Sequence, residues 1–253
     1  MNYLDEYTLR YIYQLSFNDC VKDLLPTRVD DKGNMYWFHE GTNVPHRKVG
    51  PAVIDTIAHW IGPIPRYTWY RCGKIHRDGD LPALIIENYQ EEWYQDGLLH
   101  RDGDKPAVSS FFAQRWYQKG QLHRDGDKPA VIINDGNLAW YRHGQLHRDG
   151  DHPAVIDHIG TKKWYQNGQL HRDGDKPAVI EPYGNKVWFR YGQIHRDGDL
   201  PAVIRANGRQ CWYQNDQLHR ESHKPAVIHS DGAQEWHIHG TLVDVYDPNF
   251  THA

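Results

Sequence analysis

The sequence predicts an all-β fold, an elongated array of antiparallel β-hairpins, on three observations. The phrase His-Arg-Asp-Gly-Asp-x-Pro-Ala-Val recurs, altered in its first and last copies, with its His at His46, His76, His100, His123, His147, His171, His195 and His219, in steps of 30, 24, 23, 24, 24, 24 and 24 residues. A second phrase, Trp, an aromatic, two residues and usually Gly, opens at Trp37, Trp69, Trp93, Trp116, Trp140, Trp164, Trp188 and Trp212, and Trp236 begins a last variant copy. Between them, β-branched runs such as Ala154-Val155-Ile156 alternate with clusters of Gly, Asp, Asn and Pro. A fixed period of this size marks a stack of supersecondary units, each too small to bury its apolar face alone.

In chain order, residues 5–25 come first. Leu9, Ile12, Tyr13, Phe17, Val21 and Leu24 fall at helical spacing and Pro26 stops the pattern, so this stretch predicts a short helical cap over the first strands. The division is therefore 1–35 as helical N-terminal cap, 36–243 as repeat array and 244–253 as C-terminal tail, whose first residues are expected to pair with the last edge. Within one unit, Trp140-Tyr141-Arg142, His143-Gly144 and Gln145-Leu146-His147 read as a hairpin with a two-residue turn. Such a turn needs positive φ at both central residues, which explains the recurrent Gly and makes Asp216, standing where the others have Gly, slightly strained. A two-residue turn also fixes the register: Tyr141 opposite Leu146 on one face, Trp140 opposite His147 on the other. The loop Arg148-Asp149-Gly150-Asp151-His152-Pro153 follows, then the Ala-Val-Ile strand, then a second turn of the kind seen at Asp135-Gly136, Asn207-Gly208 and Asp231-Gly232. Two strands per unit, about 4.8 Å apart, would extend the array by roughly 10 Å each time.

Composition narrows the function classes. The 253 residues carry 39% hydrophobic residues but ten Trp and 16 Tyr, which suits a thin structure that buries large rings rather than a thick aliphatic core. A formal charge of −4 gives no general attraction to nucleic acid or anionic membrane, so no specific nucleic-acid partner is expected. Cys20, Cys72 and Cys211 are odd in number and far apart, without metal-ligand spacing. No run approaches the ~20 apolar residues of a membrane span, and the charged N-terminal stretch lacks the core of a secretory signal. A soluble, intracellular protein is expected.

Four constellations invite chemistry. His-Arg-Asp is also the phrase of the protein-kinase catalytic loop, but here it recurs without the Gly-rich turn, strand Lys or metal-binding Asn of that site, so no catalytic residue is assigned. The Asp-Gly-Asp pairs resemble half a calcium site, yet each loop also brings an Arg and usually a Lys, and the favoured reading pairs Arg and Asp of neighbouring units. The His column, including His100, His123, His147, His171 and His195, is read as packing against the opposite Trp while bonding into the Asp loop. The Trp column, including Trp93, Trp116, Trp140, Trp164, Trp188 and Trp212, is read as core rather than as a stacking platform for bases or sugars. No cofactor and no metal are expected. The connection between Ile54 and Trp69 is longer than its counterparts, and an insertion on one side of a regular array is where specific contacts are expected: Trp60, Ile61, Pro63, Ile64 and Arg66.

The hairpin unit with an aromatic-aromatic-x-x-Gly strand, as in Trp164-Tyr165-Gln166-Asn167-Gly168, resembles MORN repeats (membrane occupation and recognition nexus). The variant built from HRDGDKPAVI and WYQNGQLHR is similar to the MORN-like repeat proteins that large DNA viruses of amoebae carry in many copies. The likeness spans residues 36–243. It departs from the better-known members in that Trp leads and the His-Arg-Asp loop is additional. It implies a solenoid of hairpins and a non-catalytic protein-protein interaction scaffold, with host or viral proteins as partners and the host cytoplasm or virus factory as location. The alternatives kept open are a lipid- or calcium-binding adaptor and a self-assembling component, including a homodimer formed through an end of the array.

Overall fold

In a computed structural model, residues 25–59 and 62–246 are described, and they contain strands and turns but no helix. The expected helical cap lies, as far as residue 24, outside the described residues. Beyond it the expectation is corrected: residues 28–36 are a hairpin, Arg28–Val29 paired with Met35–Tyr36. The local reason is an Asp-rich turn. The Asp30 carboxylate accepts the backbone N–H groups of Lys32 and Asn34, and Gly33 takes a φ of 82°, a combination that closes a turn and breaks a helix.

The chain divides into two compact units, Met1–Phe111 and Phe112–Ala253. In the first, the strands Arg28–Val29, Met35–Tyr36, Val53–Ile57, Ile64–Thr68, Leu84–Ile86, Gln90–Glu92 and Val108–Ser110 pair antiparallel, each with the next. In the second, the meander runs through Ala113–Arg115, Val131–Ile133, Leu138–Ala139, Val155–Ile156, Lys162–Lys163 and Val179–Ile180. It continues through Lys186–Val187, Val203–Ile204, Gln210–Cys211, Val227–Ile228, Gln234–Ile238 and Thr241–Tyr246. The beginning of the expected tail thus pairs with the final edge.

Each repeat Trp from Trp37 to Trp212 is the pivot between this meander and a small hairpin. Trp140 N–H donates to the Ala154 carbonyl (2.8 Å) on the sheet side, while its own carbonyl accepts from His147 N–H (3.1 Å) on the hairpin side. The hairpin has the register fixed by its two-residue turn, Tyr141 opposite Leu146 and Arg142 opposite Gln145. His143 and Gly144 both have positive φ, 49° and 80°. Successive hairpins are tied by one backbone bond, as from Gly168 N–H to the Leu146 carbonyl (2.9 Å). The core follows the same period: Trp140, Trp164, Trp188 and Trp212 are 5–7% exposed, and Ala154, Ala178, Ala202 and Ala226 are fully buried. Ala recurs because that position leaves room for nothing larger beside the ring strand.

Candidate functional site

Two faces of the second unit offer functional groups, and they differ in how far those groups are already used. On the loop face, each Arg of the His-Arg-Asp phrase lies over the Trp of its own copy, its guanidinium carbon 3.6–4.0 Å from the ring centroid from Trp37 to Trp212. The same Arg bonds in two further directions. Arg172 donates from Nη1 to the Pro177 carbonyl (3.2 Å) and from Nε and Nη2 to the Asp151 carboxylate of the preceding copy (2.6 and 3.1 Å). Arg148 with Asp127, Arg196 with Asp175 and Arg220 with Asp199 repeat the pattern, and Arg101 with Asp80 does so within the first unit. Where the loop has a Lys, it joins the same carboxylate, Lys176 at 2.6 Å from Asp151. These cations hold the Asp80, Asp151 and Asp199 carboxyls well below the usual carboxylate range, and Asp127 and Asp175 shift the same way under their Arg partners.

The other Asp of each loop faces its own unit. Asp149 accepts from His147 Nε2 (2.9 Å) and from Arg142 Nη1 (3.0 Å); the imidazole first and the guanidinium second keep its carboxyl below its ordinary value. The two carboxylates of Asp149-Gly150-Asp151 therefore serve different partners rather than converging on one point, and among the described residues no cluster of three or more His, Cys, Asp or Glu suits a metal ion. His147 Nδ1 accepts the backbone N–H of Asn167 in the next copy's turn (3.1 Å). The same bond joins Asp96 to His76, His143 to His123, Tyr191 to His171, Asn215 to His195 and His239 to His219. An imidazole that accepts at Nδ1 and faces a carboxylate at Nε2 is the neutral Nε2–H tautomer. The column also stacks, with His123 on His143 (4.5 Å) and His171 on Tyr191 (4.2 Å). With Arg over the indole and each ring buried, the Trp column from Trp37 to Trp212 leaves no face for a base or sugar. Sequence reasoning foresaw the Arg–Asp ladder and the His–Asp bond but missed the link from His to the following turn, whose only sequence signal is a constant offset of 20 residues.

The opposite face is built from the other side of the hairpin. Tyr165, Phe189 and Tyr213 stand in a row with Leu170 and Ile194, over a sheet floor of Val179, Val187, Val203 and Cys211. Burial pushes the Tyr165 and Tyr213 phenols and the Cys211 thiol up. These residues line a recess of about 430 Å³, whose remaining lining is Lys163, Glu181, Arg205 and Arg209. Arg205 and Arg209 face each other across a sheet turn, joined by the bond from Arg205 N–H to the Arg209 carbonyl (2.9 Å).

The insertion in the first unit forms a long hairpin. Val53–Ile57 pairs residue for residue with Ile64–Thr68. Ile64 is buried at 6% exposure, Pro63 is exposed, and Arg66 is held by Asp55, its Nε donating to Oδ1 at 2.8 Å. Trp60 and Ile61 lie outside the described residues. The three described positions thus play three roles: packing, surface and an ion pair. No helix among the described residues is long and apolar enough to cross a membrane. A scan against protein-family models finds no match, and a search of the curated proteins returns none.

Proposed function

We propose that the protein is a non-catalytic protein-protein interaction scaffold, a recruitment module of MORN-like repeats whose resemblance to viral repeat proteins points to host or viral factors as partners. The observation that supports this is the division of labour between the faces. Among the described residues, the recurring His, Arg and Asp are engaged within each copy or with the next one, which leaves the loop side to holding the stack. The apolar recess with its cationic lining remains open. A surface with fixed shape and little chemistry suits recognition.

The test is affinity capture of the tagged chain from its native cells, beside a variant in which residues 58–63 are replaced by Asn-Gly so that the long hairpin is shortened but its strands are kept. A stoichiometric, reproducible partner supports the scaffold, and loss of that partner with the shortened hairpin places contacts there. Recovery of the chain alone contradicts it.

One observation favours a second reading, self-association. In the edge strand Thr241–Tyr246, Leu242, Val243, Val245 and Tyr246 are 52–61% exposed, without the Lys or Pro that usually blunts an edge. Light scattering decides it: a mass that rises with concentration and falls back in Val243→Lys supports pairing, and a constant monomer mass removes it.

A further inference from the structure

We propose that the recess of the second unit binds an acidic amphipathic peptide segment of a partner protein, with Arg205 and Arg209 reading its carboxylates. This deepens the scaffold reading and rests on it. The first ground is the contrast among arginines. Arg148, Arg172, Arg196 and Arg220 bond Asp, and Arg142 and Arg190 bond Asp149 and Asp197. Arg205 and Arg209 flank one sheet turn and have no carboxylate partner, and Arg209, whose guanidinium lies against the Cys211 thiol, keeps its Nε shielded from solvent without a hydrogen-bond partner. Lys163 adds a third cation on the same lining.

The second ground is the state of the nearby carboxylates. Glu181 accepts from Asn185 Nδ2, and Glu235 is bracketed by His229 Nε2 (2.6 Å) and His237 Nε2 (2.8 Å). Each acid has its donors while the guanidiniums await acceptors. Guanidinium binds carboxylate bidentately, and two together select for clustered negative charge.

The third ground is shape. The recess reaches from the strand Lys162–Lys163 to the strand Gln210–Cys211, five consecutive strands of the meander. At about 4.8 Å per step that is roughly 19 Å, the length of about six extended residues or about 13 helical ones. A flat bilayer cannot reach the Val187 and Cys211 floor, and a small free anion would leave the Tyr165, Phe189 and Tyr213 rings uncovered. A linear segment with apolar anchors and flanking Asp or Glu satisfies both halves.

The experiment is selection of a displayed library of random 16-residue peptides on the full chain, with Arg205→Gln/Arg209→Gln as counter-target. The expected result is enrichment of peptides that combine aromatic or branched residues with Asp or Glu. A synthetic representative should bind about tenfold more weakly to the double variant, more weakly at high salt, and more weakly when its acids become amides. Arg205→Lys/Arg209→Lys, which keeps the charge, is the second variant should the Gln form melt early; intermediate affinity is expected of it. Neutral or basic winners, equal binding to the variants, or no enrichment would overturn the proposal, as would phosphatidylserine vesicles bound in an arginine-dependent way. A captured native partner that binds the double variant undiminished removes this site and leaves the scaffold standing. Arginine-dependent acidic peptides without any captured partner do the reverse.

Discussion

The loop arginines and the recess arginines of the second unit are the same residue in opposite circumstances. Arg172 is used three times over, on the Trp164 ring, the Pro177 carbonyl and the Asp151 carboxylate. Arg205 and Arg209 line an open recess without an ion-pair partner, the Glu181 carboxylate of the same lining being bonded by Asn185. The first kind recurs every 24 residues because every copy must be fastened to its neighbour; the second occurs once, in a single sheet turn. In a repeat protein, periodicity marks what holds the stack, and departures from it are where recognition is to be sought.

That distinction can be broken most forcefully at a periodic Trp. Trp164→Ala removes a ring 6% exposed and should cost about 3–5 kcal/mol, read as a lower midpoint in thermal or urea unfolding. An unchanged melt would mean that the Trp column is not core. Ala178→Leu overfills a fully buried position and should cost about 1–3 kcal/mol in the same assay. Gly168→Ala meets only ordinary contact, Gln145 Cβ at 3.8 Å, so its cost is that of a φ of 82° on an L side chain, about 1–2 kcal/mol.

A smaller effect is expected from acid. Asp80, Asp151 and Asp199 have folded-state pKa values below the unfolded value of 3.8, so the unfolded chain binds protons first as pH falls. Their stabilisation is complete above that value and is lost progressively below it. The melting temperature should hold from pH 7 to about 5 on their account and drop below about 4, less steeply in Asp151→Asn. The smallest change is expected at Asp216→Gly. Asp216 has a φ of 65°, but its carboxylate accepts the Ile194 N–H at 2.6 Å, which offsets the strain, so the variant should stay within about 0.5 kcal/mol of the original.

Much of this was legible in the residues, for a physical reason. A two-residue turn leaves one register, so Tyr141 opposite Leu146 and Trp140 opposite His147 followed from spacing alone. Charge alternation between copies foretold Arg172 on Asp151. The bond from His147 to the Asn167 turn was not legible, because it depends on how hairpins stack, which no propensity encodes. The recess arginines escaped for the opposite reason: reading for the repeat discards what does not repeat. Comparing equivalent sheet-turn positions, Asp157 and Thr161, Glu181 and Asn185, then Arg205 and Arg209, would have exposed them as the one doubly cationic pair among these three. The insertion stands out by its length, yet length also serves packing: Ile64 is core and Arg66 closes onto Asp55.

The most direct measurement takes Trp164→Ala and Arg205→Gln/Arg209→Gln side by side through thermal unfolding and binding of the selected acidic peptide. The account predicts a lowered melt for the first, and an undisturbed melt with about tenfold weaker binding for the second. A double variant that unfolds like the Trp variant, or that binds the peptide as well as the original chain, would contradict the separation of holding and recognising on which the account rests.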